Sequence, residues 1–297
     1  MRRVTSWAAK EMCGVLLILL ALCSSVQAQD KSVIRVKGAN EMASFVNTLA
    51  QSFMKERPDV FVVVSGGGAD AGFKALLNKT AEVVMAFRTA TNGEKQAAKS
   101  KGLKLVWHFF GWQGVAVFSN AGNSIEGLTM MQLSDIFAGR KTSWKDVGGQ
   151  GKPITVYVSD PARSDVYLFF KQYVLKGAPF TSKAVERRYF ENIVKDVSSD
   201  ESAISFASLR MVERFKSKYP IKLIGIKKIE LSPFILPSIK SVEDRSYPLI
   251  QPLYLYRLEK CKKVVTDFID YCMSHSFVAK APNLKSYADL HELCTLH

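Results

Sequence analysis

The stretch of greatest chemical promise is Ser65-Gly66-Gly67-Gly68-Ala69-Asp70-Ala71-Gly72. It follows the apolar run Val60 to Val64 and precedes Phe73-Lys74-Ala75-Leu76-Leu77, an order that reads as strand, glycine loop, helix. Backbone N–H groups at a helix N-terminus have no partner within the helix, and glycines let an anion come close to them. The same residues also suit a plain tight turn, so spacing alone leaves both readings open. Named nucleotide motifs fail here. Phe73 stands where a P-loop needs lysine. A dinucleotide loop can be written on Gly66, Gly68 and Ala71, but the next strand ends in Phe87-Arg88-Thr89 without the acid that binds ribose.

Catalytic constellations are scarcer still. His108, His275, His291 and His297 fit no HExxH or metal-ligand spacing, and no GxSxG elbow is present. His108, within Val106-Trp107-His108-Phe109-Phe110, reads as a packed strand histidine. The expectation is a binding protein, not an enzyme, with no cofactor and no metal. Cys261 and Cys272, eleven apart, are expected on one helix face and too distant to bridge each other. Cys294 closing onto one of them is the pairing left open.

The elements that must position these residues alternate. Ile34-Arg35-Val36 reads as a strand, and Asn40 as the cap of a helix carrying Met42, Phe45, Leu49 and Phe53 until Pro58. Val60 to Val64 suits a strand buried on both faces, and Val83-Val84-Met85 another. This is an α/β pattern. At the N-terminus, Arg2, Arg3 and Lys10 precede an apolar run from Gly14 to Cys23 that ends in Val26-Gln27-Ala28, the layout of an export signal over residues 1–28. The run is too short to span a bilayer, which takes about 20 residues. With 41 Lys+Arg against 27 Asp+Glu the chain carries +14 and stays basic without its first 28 residues. Such a field suits anionic ligands or an anionic surface, or is simply a solvated lysine-rich exterior, and for an exported chain nucleic acid is not an expected partner.

Several separated segments resemble, in order, the phosphate-binding periplasmic proteins of ABC importers. They are Gly38-Ala39-Asn40-Glu41, the Gly66 to Gly72 loop, Ala81 to Arg88, Leu128 to Gly139 with Trp144 to Gly149, Ala203 to Leu209, and Tyr247 to Tyr256. Within the fourth, Thr129 reads as a helix cap and Gly139 as the left-handed residue that ends the helix.

The resemblance implies a two-lobed α/β fold of the type II periplasmic-binding-protein kind, with the ligand cleft between lobes joined by two crossing strands. Lobe 1 would comprise residues 29–113 and 229–297, and lobe 2 residues 114–228. It further implies a monomeric periplasmic protein that captures phosphate or a related oxyanion and passes it to a membrane ABC permease. The ligand set it implies is Asn40, Gly67, Gly68, Ala69, Asp70, Glu82, Arg88, Arg163 and Ser164. Here Glu82 stands in for the family's proton-accepting carboxylate.

Two departures from the family pattern matter. Its loop serines align with Ala39 and Ala69, which lack donor side chains, and its Arg-x-x-Gly-Ser-Gly-Thr helix start becomes Asp160-Pro161-Ala162-Arg163-Ser164-Asp165-Val166. Glu41, Asp70, Glu82, Asp160 and Asp165 then crowd acids at the mouth, which penalises a dianion unless one acid is protonated or basic groups intervene. The alternative reading is therefore a sensor or envelope interaction module on the same fold whose ligand has changed or been lost.

Overall fold

Residues 31–161 and 164–275 are described by a computed structural model, so the export-signal segment, Arg163 and Cys294 lie outside the described residues. The predicted alternation is realised from the start: β1 (Ser32–Gly38), α1 (Asn40–Glu56), β2 (Val60–Ser65), α2 (Gly68–Leu77), β3 (Val83–Ala86) and α3 (Asn92–Ser100). A sixteen-residue strand, β4 (Leu105–Asn120), then leaves this lobe. Beyond it come β5 (Gly127–Thr129), α4 (Met130–Phe137), β6 (Thr155–Ser159), α5 (Asp165–Tyr173), β7 (Val185–Arg187), α6 (Phe190–Ser199), β8 (Ala203–Ser208), α7 (Leu209–Lys216), β9 (Ile221–Leu223), β10 (Gly225–Lys227) and α8 (Ile239–Glu243). The chain returns through β11 (Ile250–Leu258) and closes with α9 (Lys263–Ser274).

One continuous sheet runs β2-β1-β3-β11-β4-β8-β6-β7, with β9 also on β4, while β10 and β5 form a separate parallel pair. β1, β2 and β3 are parallel, and β11 lies antiparallel between β3 and β4. The first half of β4 pairs with β11 and the second half with β8, so this strand belongs to both lobes. A bulge leaves Phe110 without a partner opposite the Leu253/Tyr254 step, next to Gly111 at φ 146°.

Each lobe has its own apolar interior. In the first, α1 buries Met42, Phe45, Val46, Leu49, Ala50 and Phe53 at helical spacing against Ile34, Val36 and Phe268, each large side chain contributing about 1.5–3 kcal/mol. Phe73, Leu76, Tyr254 and Tyr256 form a second cluster in the same lobe. The other lobe packs Phe118, Phe137, Trp144, Phe170 and Phe206, with Phe170 stacked on Phe206 at 3.8 Å between centroids. The sequence reading of α4 holds: Thr129 caps it through a reciprocal box with Gln132, and Gly139 follows at φ 77°. The closing helix packs into the interior of the first lobe through Val265, Phe268, Ile269 and Cys272.

Three expectations need correction. Val60–Ser65 is an edge strand paired only with β1, and it is buried on one face and not on both: Val60 and Val62 pack inward while Phe61 and Val63 on the opposite face are exposed. Val242, Tyr247, Leu249 and Ile250 pack into the interior of the second lobe, so the return to the first lobe begins near β11 and not at residue 229. Cys261 lies in the turn before α9 and not on the helix that carries the buried Cys272.

Phe170→Ala is expected to lower the stability of the second lobe by about 3–5 kcal/mol, because it empties a fully buried aromatic stack. Urea unfolding followed by tryptophan fluorescence, with Trp144 in that same interior, would read the change.

Candidate functional site

The parallel order of β1, β2 and β3 puts their C-terminal ends on one side of the first lobe, and α1 and α2 start there. Only Ala39 separates β1 from α1. Gly66 and Gly67 make the turn into α2, with Gly67 at φ 120° and Gly68 at φ 82°, conformations that side chains disfavour. A Cβ on Gly66 would lie 2.1 Å from Asn40 Oδ1, so the two loops touch. Asn40 is therefore not the helix cap expected of it. Ala39 holds that position, and Asn40 Oδ1 instead accepts the Gly67 N–H at 2.9 Å, bracing one loop on the other.

The second lobe brings the start of α5 against these two. Ser164 caps α5 by accepting the Tyr167 N–H at 3.2 Å, and its hydroxyl donates to Glu41 Oε1 at 3.0 Å. Between the lobes lies a cavity of about 720 Å³. Asn40, Gly67, Gly68, Ala69, Asp70, Arg88 and Ser164 all line it, so seven residues of the sequence-derived set are brought together. Arg163 lies outside the described residues.

Glu82 is held apart from the rest of the set. It sits at the other end of β3, where its carboxylate accepts the Arg35 backbone N–H at 2.7 Å and pairs with the Arg35 guanidinium at 2.7 Å. Strand register fixes this: Val83 lies opposite Val36, which places Glu82 beside Arg35. The proton-accepting role expected of it has no geometric basis there.

Arg88 reaches the cavity from the end of β3 already committed to carboxylates. Its two terminal nitrogens each bond Glu94 at 2.8 Å, one of them also meets Asp70, and the guanidinium lies 5.2 Å over the Phe73 ring. These acids hold its pKa above the ordinary arginine value. The cationic head is thereby fixed in place, with its charge partly neutralised.

Two acids that sequence reasoning placed only at the mouth turn out to face each other across the lobes. Asp165 lies close to the starts of α1 and α2, and Glu41, which accepts the Ser164 hydroxyl, lies close to the start of α5. Glu41 and Asp165 also contact each other, and their outer oxygens, Oε2 and Oδ2, are enclosed with no donor from the protein. Burial, with repulsion from Asp165, pushes Glu41 up to about 7, and burial raises Asp165 as well. The sequence also missed Phe87, Leu168, Phe169, Lys171 and Gln172, which complete the wall and which no motif marked.

Comparison with known proteins agrees with this architecture. The profile of the PBP superfamily domain matches residues 25–276. A phosphate-binding protein PstS of Staphylococcus saprophyticus is 26% identical over 261 residues, covering 86% of this chain and 80% of that one. Among solved structures, an ABC-type phosphate transport receptor from Vibrio cholerae superposes with a TM-score of 0.69 at 23% identity, over 82% of this chain and 94% of that one. A substrate-binding protein of Clostridium perfringens solved with bound phosphate gives 0.66 at 25% identity, with the same coverage.

The acid pair sets a pH dependence. A carboxyl whose folded pKa is raised contributes stability at low pH that is lost as pH climbs from the ordinary value of 4.5 through about 7. Glu41→Gln is expected to flatten that slope and to stabilise the protein at pH about 8 by on the order of 2 kcal/mol. Burial lowers the pKa of His108, which gives the opposite slope in both proteins, so the difference between wild-type and variant urea midpoints across pH isolates the pair.

Proposed function

Because this chain belongs to the PBP superfamily, we propose that it is an exported solute-binding protein that captures phosphate or a related oxyanion between its lobes. Delivery would be to a membrane ABC permease. The observation that carries this reading is the convergence of three helix N-termini, two from one lobe and one from the other, on a single cavity. Amides that have no partner within their own helices, together with aligned peptide dipoles, bind an oxyanion there without a full countercharge. The similarity to proteins named for phosphate binding, and to one solved with phosphate in place, supports the choice of anion.

On this reading the protein acts outside the cytoplasm as a monomer, its export segment over residues 1–28 removed, and it binds without catalysing a reaction. Closure of the lobes shields the amides from water and strengthens their bonds to the anion. Arg88 lends positive potential from the end of β3. A second reading, a sensor or envelope module on this fold, is favoured by one observation: the carboxyls of Glu41 and Asp165 already stand among the helix starts that would hold an anion.

Thermal shift separates the two readings. An oxyanion at about 100 times its dissociation constant should stabilise the protein by roughly 2.7 kcal/mol. Phosphate, arsenate and sulfate are the anions to compare. No shift with any of them in folded protein removes the uptake reading and leaves the second. Arg88→Ala is expected to weaken phosphate binding by about tenfold through loss of a charge-assisted contact, and an unchanged affinity would assign Arg88 to bracing the loop alone.

A further inference from the structure

The cavity is larger than the anion its helix ends would hold. It measures about 720 Å³. That lies within the roughly 300–1,000 Å³ that takes a drug-sized molecule, and a bare tetrahedral oxyanion leaves most of it to water. Lobes held wide apart do not account for the excess. They already touch where the Ser164 hydroxyl donates to Glu41 at 3.0 Å and where the Arg210 guanidinium lies 5.1 Å over the Phe45 ring.

The space left over lies along α5. Ser164, Asp165, Leu168, Phe169, Lys171 and Gln172 all line it, at the three- and four-residue spacing that stacks side chains on one side of a helix. From Asp165 to Gln172 the helix axis advances about 10 Å. Over that length the wall changes character. At the start of α5 it shares the cavity with Asn40, Gly67, Gly68 and Arg88, the end suited to an anion. Midway, Leu168 is 53% exposed, Phe169 is stacked on Tyr173 at 5.2 Å between centroids, and Phe87 lines the side of the first lobe. At the far end Lys171 and Gln172 supply donors. Phosphate held by the helix ends leaves the Leu168 and Phe169 side chains uncovered, whereas an organic group attached to it would take their apolar surface out of water.

We propose that the solute is an organic phosphate monoester: its oxyanion takes the helix ends, its apolar arm lies on Phe87, Leu168 and Phe169, and its terminus carries an anionic or acceptor group for Lys171 and Gln172. The inference rests on the reading of this cleft as an oxyanion site and narrows it. The alanines at positions 39 and 69 fit the same picture, because contact along the arm offsets the hydroxyl donors that the anion end lacks.

The test is isothermal titration calorimetry of the wild-type protein with inorganic phosphate, phenyl phosphate and 4-carboxyphenyl phosphate. Phenyl phosphate is expected to bind about tenfold more tightly than inorganic phosphate, and the carboxylated ester about tenfold more tightly again. Leu168→Ser, at a half-exposed position where substitution costs little stability, should shrink the first of these ratios. Lys171→Ala should remove the second. Both are read as ratios between two ligands in one variant, so a general loss of affinity does not mimic them. Inorganic phosphate binding as tightly as either ester, or ratios unmoved by both substitutions, would overturn the proposal while leaving oxyanion capture in place. Folded protein that binds none of the three would remove the oxyanion reading and the proposal together.

Discussion

Helix N-termini brought together in a cleft cannot be left empty. Each of α1, α2 and α5 ends its first turn with N–H groups that have no partner within the helix, and all three point at one space. Burial makes unmet donors costly, on the order of 1–3 kcal/mol apiece. Something negative has to sit there, whether it comes from solution or from the chain. The strand order, the glycine turns and the lobe pairing all serve that convergence.

The way this chain meets the demand distinguishes it from a simple anion trap. A cleft built for a solute would keep its amides free and its acids few. Here carboxylates stand at the first turns of α1 and α5, and the guanidinium that could have balanced a solute is spread over Glu94 and Asp70. Desolvation disfavours the charged form of both acids, so a buried carboxyl such as Glu41 keeps its proton to a higher pH than an exposed one would. The result is a site whose electrostatics are close to settled before any solute arrives.

Much of this was legible in the residues themselves. Helical spacing found α1, the capping residues found α4, and the glycine run marked the turn into α2, since each signal is local. The open face of β2 was not legible, because a run of valines looks the same whether one or both faces are covered. Glu82 was misplaced for a related reason: its distance along the chain from Arg88 is short, but strand geometry turns the two toward opposite ends of β3. The contact between Glu41 and Asp165 left no trace in spacing, because it joins residues whose closeness exists only once both lobes have folded and met.

The long strand β4 has a mechanical implication. Because it is hydrogen-bonded to β11 in one lobe and to β8 in the other, the lobes are not beads on a loose tether but two ends of one backbone ribbon. Any relative rotation must be absorbed as torsion within that ribbon, and its most compliant stretch is where Phe110 is left unladdered beside Gly111. Motion of the lobes is then elastic, with a restoring force written into main-chain geometry and a pivot set by a single irregular step.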